Sequence, residues 1–434
     1  MALVHPLSSE STNTGLDLFS LPPTQTSLES GQFIEHFPVS ALNHGSPIEF
    51  VVRGSGEEYI DLHNTFLQIK AKVTDPQGGD LSIDDNTAPV NYWLHSLFSQ
   101  VDISLNDTLI TTSQNTYSYR AYIEATLNYG RDAKKGHLSA AMYYRDSANH
   151  FNAITTADNK GIVARRGLIR SSKTVDMYGR LHTDITAQDR YLLNGVDVKI
   201  KLTPSKHTFH LMSEGGALAQ ILHASLHVRK VKPNPAVALA HNKALEQNTA
   251  KYPLTRVVTK VFSVPRGQMS CVEDNLFLSQ LPKRIVIGLV KSAAFLGAYK
   301  ENPFYFGTHH LNYLAVSIDG KNVPGKPLTP NFDTDLCARA FYHQALAGIS
   351  HQNKDQGSYL EYKDFNLGYG LFVFDLSPSY LDGGQVELLR SGSLRLEFKF
   401  GTALVEPLHV VVLGELDGLL EIDKSRQILT DFAL

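Results

Sequence analysis

The chain has 434 residues, 42% hydrophobic and 19% charged, with 40 basic against 43 acidic side chains and a formal charge of -3. That length exceeds what one hydrophobic core usually serves, so two globular domains are expected, and the charge balance argues against a protein that chiefly neutralises nucleic-acid phosphates. Two cysteines, Cys271 and Cys337, make no disulfide framework, no leader-like apolar run follows the start, and no stretch is long enough to span a membrane; the expectation is a soluble, non-secreted protein.

Residues 1–47 are polar and rich in Ser and Thr, with Pro22-Pro23 and isolated hydrophobes such as Phe19, Phe33 and Phe37; they read as an extended arm rather than a packed element. From 48 the chain turns to short runs of alternating apolar residues broken by turn signals. Leu67, Ile69, Ala71 and Val73 form one such face, followed by Val101, Ile103 and Leu105, then Val196, Val198, Ile200 and Leu202, then Leu222, Ala224, Leu226 and Val228. Period-two alternation places one face on a core and the other outside. Helical spacing is confined to 116–129, to Leu138–Arg145 and to Ala236–Gln247, the last forming a linker helix within 234–251. The second half, 252–434, repeats the strand pattern at Val258–Val264, Ile285–Leu289, Leu314–Ile318, Leu371–Phe374, Leu394–Phe400 and Leu408–Leu413, with one helical insert at 336–346.

The halves resemble each other in order. Ile103-Ser-Leu-Asn-Asp107 matches Val316-Ser-Ile-Asp-Gly320, each a strand running into a turn that favours positive φ. Leu67, Ile69 and Ala71 match Ile285, Ile287 and Leu289; Phe50 with Arg53-Gly54 matches Phe262 with Arg266-Gly267; Tyr178-Gly179 matches Tyr369-Gly370; and Val196–Leu202 matches Leu394–Phe400. Five anchors in one order imply a duplicated β-sandwich. The expected class is all-β, two tandem jelly rolls at 48–233 and 252–434 with short helical inserts; another Greek-key sandwich remains open.

Chemical motifs are sparse. Gly320-Lys-Asn-Val-Pro-Gly-Lys326 looks like a phosphate loop but has Pro327 where Ser or Thr is needed, so it reads as a hairpin. His207, His210 and Glu214 are the nearest thing to a metal set, yet on a strand residues three apart point to opposite faces, and His309-His310 fails likewise. His182, His223 and His227 are scattered. No catalytic, cofactor-binding or metal residue is assigned, and no cofactor is expected.

Several segments carry a family resemblance: Tyr178-Gly-Arg-Leu-His-Thr-Asp184, Gln188-Asp-Arg-Tyr-Leu-Leu-Asn-Gly-Val-Asp197, Val228-Arg-Lys-Val231, Gln280-Leu-Pro-Lys-Arg284, Asn302-Pro-Phe304, Gly368-Tyr-Gly-Leu-Phe-Val-Phe-Asp-Leu376 and Leu420-Glu-Ile-Asp423. Over about 48–430 the chain resembles the double jelly-roll major capsid (hexon-like) proteins of double-stranded DNA viruses, those of adomaviruses and Polinton/Maverick elements above all. The resemblance implies a non-enzymatic homotrimer whose six jelly rolls form a pseudo-hexagonal tile of an icosahedral virion shell. That tile would touch neighbouring capsomers and minor capsid or vertex proteins and enclose DNA without a strongly basic surface of its own. The alternatives are a minor capsid or vertex protein, a two-domain carbohydrate-binding protein using Tyr117, Tyr119 and Tyr143-Tyr144, and a cupin-like metal protein.

Overall fold

The computed structural model describes residues 7–431 except 44, 55, 113, 278–279, 333, 335–336, 347–356 and 380–385. In the first half the strands of the main sheets are β1 (Leu28–His36), β2 (Ile48–Val52), β3 (Tyr59–Thr74), β4 (Phe98–Leu105), β5 (Thr108–Leu109), β6 (Val175–Arg180), β7 (Val198–Pro204) and β8 (Leu218–Pro233). In the second half they are β9 (Ala250–Val264), β10 (Ser270–Glu273), β11 (Arg284–Lys291), β12 (Leu311–Ile318), β13 (Lys321–Asn322), β14 (Leu371–Asp375), β15 (Leu394–Phe400) and β16 (Leu408–Ile422).

The first lobe pairs them as β1-β8-β3-β6 and β2-β7-β4-β5; the second pairs β9-β16-β11-β14 and β10-β15-β12-β13. Adding eight to every strand of the first lobe reproduces the second. The first strand of each lobe pairs with the last, every ladder is antiparallel, and two four-stranded sheets face each other. That is the jelly roll, and this chain has two. A short strand, β17 (Ile428–Thr430), pairs with the end of β16, and Ala88–Pro89 pairs with Leu211–Met212.

Three of the five sequence anchors fall on equivalent elements: β3 with β11, the β4–β5 turn with the β12–β13 turn, and β7 with β15, the last with its register moved by two residues because Ile200 and Leu396 hold the same place opposite Ile103 and Val316. Both turns use left-handed backbone at their two central positions, with φ of 44° and 66° at Asn106 and Asp107 and 49° and 79° at Asp319 and Gly320. A fourth anchor is corrected: Tyr178 lies within β6, opposite Gln68, whereas Tyr369 precedes β14, whose Val373 holds the matching place opposite Val286. The fifth anchor is corrected. Phe50 lies on β2, the second strand of its lobe, whereas Phe262 lies on β9, a first strand. The missing first strand is β1, inside the segment expected to run unpacked to residue 47: Leu28–His36 pairs with Pro233–Leu226 of β8. Its Leu-Glu-Ser-Gly-Gln-Phe-Ile-Glu-His sequence lacks alternation because only Leu28, Ile34 and His36 are even partly covered. Residues 7–27 are exposed and hold one 3-10 turn, Thr14–Leu16, capped by Asn13.

Helices α1 (Tyr117–Asn128) and α2 (Lys160–Ile169) both lie between β5 and β6; α3 (Pro235–Leu245) joins the lobes; α4 (Ala338–Leu346) lies between β13 and β14. The helix expected at Leu138–Arg145 is a 3-10 turn at His137–Ala141, and α2 has no counterpart among the helices expected from the sequence. Asn159 caps α2, its side chain accepting from Gly161 N and Ile162 N.

The two sandwiches are buried differently. Inside the second lobe, Ile285, Ile287, Leu289, Phe372, Val410 and Val412 form one core. The opposite face of that sheet, with Val286, Val290, Leu371, Val373, Val411 and Leu413, belongs to the core of the first lobe. The sheet β9-β16-β11-β14 therefore has apolar residues on both faces, as a sheet covered on both sides requires.

Candidate assembly surfaces

The junction between lobes is built by the β5–β6 insert of the first and the β11–β12 connection of the second. Tyr122 of α1 stacks on Phe304 at 4.1 Å and 3°, and Tyr119 stacks on Phe295 at 5.4 Å and meets Phe304 edge-on at 5.8 Å. Aromatic pairs in these geometries add to their large apolar burial. Around them the backbones are stitched: Tyr369 OH donates to Asp146 O (2.7 Å), Asn149 N to Leu367 O (2.7 Å), and Asn302 N to Asn152 Oδ1 (2.7 Å). Arg145 pairs with Asp364 and stands over the rings of Tyr359 and Tyr369. Lys134 is buried, donating to Thr126 O (2.7 Å) and Ser358 O (2.5 Å) across the junction; burial, helped by nearby Arg145, pushes its ammonium down to about 7.

A polar network underlies α1. Arg120 bridges Glu124 (2.8 Å) and Asp184 (2.7 Å), and His182 lies 2.7 Å from Glu124 and 2.8 Å from Tyr92 OH. Burial alone raises a carboxyl, but Arg120 and His182 outweigh it at Glu124 and hold it near 2. His95, 2.9 Å from Tyr117 OH, is held well below the usual imidazole range by burial and by His182. Such a constellation resembles an active site on paper. Here the cavity beside it measures about 30 Å³, room for a water or two rather than a substrate. The network fastens α1 and, through Asp184 Oδ1 accepting from Val257 N (3.2 Å), ties the lobes together. A second buried pair, Arg165 with Asp146 at 2.7 Å, has both side chains fully covered.

The histidines singled out in the sequence are placed as follows. His207–His210 is a helical turn, not a strand, so the two rings meet edge to face at 5.3 Å. Both are engaged locally: Trp93 Nε1 donates to His210 Nδ1 (3.2 Å) and Ala219 N to His207 Nδ1 (3.2 Å). Among the described residues no group of three or more His, Cys, Asp or Glu is arranged to hold a metal. Burial and the Lys291 charge push His309 down to about 4. Gly320–Lys326 begins at the β12–β13 hairpin. Tyr117, Tyr119 and Tyr143 are buried and present no face to a sugar, and Tyr144 is half-buried.

What the chain leaves open is apolar. On the outer face of β1-β8-β3-β6, Phe33, Phe66 and Tyr178 run in a row, with ring separations of 6.1 and 5.2 Å, and His227 closes on Tyr178 at 5.4 Å. Phe37 meets His223 at 6.0 Å beside them. Glu35 lies 3.9 Å from both His223 and His227. Among the described residues no element covers this face, although the equivalent face of the second lobe is buried.

No family model matches the chain. An uncharacterised protein of Caenorhabditis elegans is 26% identical, the match covering 95% of this chain and 99% of that protein. Among solved structures, a chain of the Sputnik virophage superposes with a TM-score of 0.68 at 11% identity, covering 100% of this chain and 94% of its own. The double jelly roll seen here is therefore matched from end to end. This is the fold of viral major capsid proteins. Two more neighbours carry that description outright: the Faustovirus major capsid protein (TM-score 0.61, 8% identity, covering 94% of this chain and 93% of its own) and that of mavirus (0.54, 10%, 100% and 96%).

Proposed function

We propose that this chain is a major, hexon-like capsid protein: a structural unit, not an enzyme, that forms pseudo-hexagonal homotrimers tiling the icosahedral shell of a double-stranded DNA virus or virus-like element. Its units are two jelly rolls, 28–233 and 250–430, fastened into one plate by the junction at α1. The observation that carries the reading is the end-to-end superposition of both lobes on capsid chains. An animal relative aligned over nearly its whole length favours an element carried in animals. The burial of Tyr117, Tyr119 and Tyr143 speaks against the carbohydrate-binding alternative, and the duplication against a minor capsid protein, which needs one jelly roll.

In a shell, this unit would contact neighbouring capsomers and minor capsid or vertex proteins, and its nearly balanced charge suits a wall that encloses DNA without gripping it. Electron microscopy of the expressed protein tests the reading. Three-lobed capsomers or closed shells are expected; a protein that yields neither across the usual range of salt and concentration refutes it.

A further inference from the structure

The two lobes of one chain meet through a seam with two sides. The second lobe contributes the outer face of β9-β16-β11-β14. The first contributes α1 and the connection from β6 to β7, whose Ile185, Leu192 and Leu193 are buried. Two backbone donors on β9, the outermost strand of its sheet, are taken up by the first lobe: Val257 N by Asp184 Oδ1 (3.2 Å) and Thr259 N by Gln114 Oε1 (2.8 Å). Leu193 N donates to Tyr252 OH at 3.1 Å on the same strand.

Each side of that seam has an equivalent elsewhere in the chain, and among the described residues both equivalents are open. Registering the sheets on the matched pairs Leu67–Leu226 and Ile285–Gly414 places Glu35 of β1 at the position of Val257. By the same register Phe37, one residue past the end of β1, takes the place of Thr259. Phe33 and Phe37 there are 55% and 60% exposed, next to Phe66 and Tyr178. The β14–β15 connection is the counterpart of the β6–β7 connection, and its Val386, Leu388 and Leu389 are 69%, 88% and 67% exposed. So the first lobe carries an uncovered copy of the face, and the second an uncovered copy of the loop that covers it.

Accepting the capsid reading above, we infer that these two surfaces are the halves of one intermolecular seam. The aromatic face Phe33, Phe37, Phe66 and Tyr178 of one chain receives the Val386–Leu389 loop of a second copy. The contact repeats between chains the arrangement that already joins the lobes within a chain. It is head-to-tail, since the two sides differ, and a head-to-tail contact closes into a ring when its rotation permits. Covering β1 also removes an open sheet edge, which otherwise invites unspecific pairing.

The test uses the full chain and two double variants at exposed positions, Phe33→Asp with Phe37→Asp on the face and Leu388→Asp with Leu389→Asp on the loop. Mass photometry and native mass spectrometry read the assembly, and thermal melting checks that each variant is folded. Wild type should be a ring, and each variant alone should fall to the mass of a single chain with its melting curve retained. Mixed one to one, the variants hold one intact seam between them, so they should form a heterodimer that grows no further. Rings formed by either variant, or a mixture that stays monomeric, would overturn the seam. Shell formation by both variants removes the seam and leaves the capsid reading standing. Wild-type rings with the expected mixing behaviour that never build shells uphold the seam and remove the capsid reading.

Discussion

Replacing Tyr119 by phenylalanine and by alanine should move stability in opposite directions. The ring is buried at the lobe junction against Phe295, Phe304 and Phe306, while its hydroxyl is covered and has no hydrogen-bond partner among the described residues. A buried hydroxyl without a partner costs about 1–3 kcal/mol, so Tyr119→Phe should leave the protein about 1 kcal/mol more stable. Tyr119→Ala removes the ring from a site that cannot collapse around rigid neighbours, and a loss of about 3–5 kcal/mol is expected. Since the ring belongs to the contact between lobes, the alanine variant should also split a single calorimetric transition into two, one for each lobe. Scanning calorimetry with denaturant titration measures both effects. A phenylalanine variant less stable than wild type would show that the hydroxyl is satisfied. An alanine variant costing under about 1 kcal/mol would show that the junction does not couple the lobes.

Lys134 carries a pH signature. Its folded pKa of about 7 lies below the ordinary 10.5, so between those values the unfolded chain binds the extra proton and stability rises with pH. Wild type should gain on the order of 4 kcal/mol across that window relative to Lys134→Met, compared by denaturant titration at pH 7 and pH 10; parallel pH profiles would contradict the assignment. Asp146→Ala leaves the Arg165 guanidinium buried without its carboxylate and should cost about 3–5 kcal/mol in the same titration; a change under 1 kcal/mol would mean the site admits water. Removing residues 1–27 should leave the melting temperature in place, whereas removing 1–36 strips β1 from β8 and should lower it; equal melting of the two truncations would argue that β1 contributes nothing to the fold.

The strands legible in the sequence are those with one face buried and one wet. β7 and β15 alternate residue by residue, and their burial alternates with them. The alternation of Ile285, Ile287 and Leu289 points to β11, yet Ile-Val-Ile-Gly-Leu-Val is apolar at the intervening positions too. That unbroken run was the visible sign of a sheet covered on both faces, hence of the lobe junction. β1 left no such sign, because a strand at a sheet margin with most side chains exposed need not alternate. Its partner β8 is nearly two hundred residues away, and pairing over that distance does not register in local pattern. The network around Arg120, Glu124, His182 and Asp184 was illegible for the same reason: α1 supplies two members and the chain after β6 the others. For the histidines at 207 and 210, the error lay in assigning a strand to a helical turn too short for periodicity to reveal.

Pairing the first strand of each lobe with its last has a consequence during synthesis. The first sandwich can close only once β8, ending at Pro233, has left the ribosome. From then on it leaves Tyr119 and Tyr122 without their partners from the second lobe until the second sandwich closes, which waits on β16, ending at Ile422. At about 5–20 residues per second that delay is roughly 10–40 s. For that interval every nascent chain on a polysome holds out the same bare aromatic surface to its neighbours, and a cell making many copies must keep those half-finished chains apart.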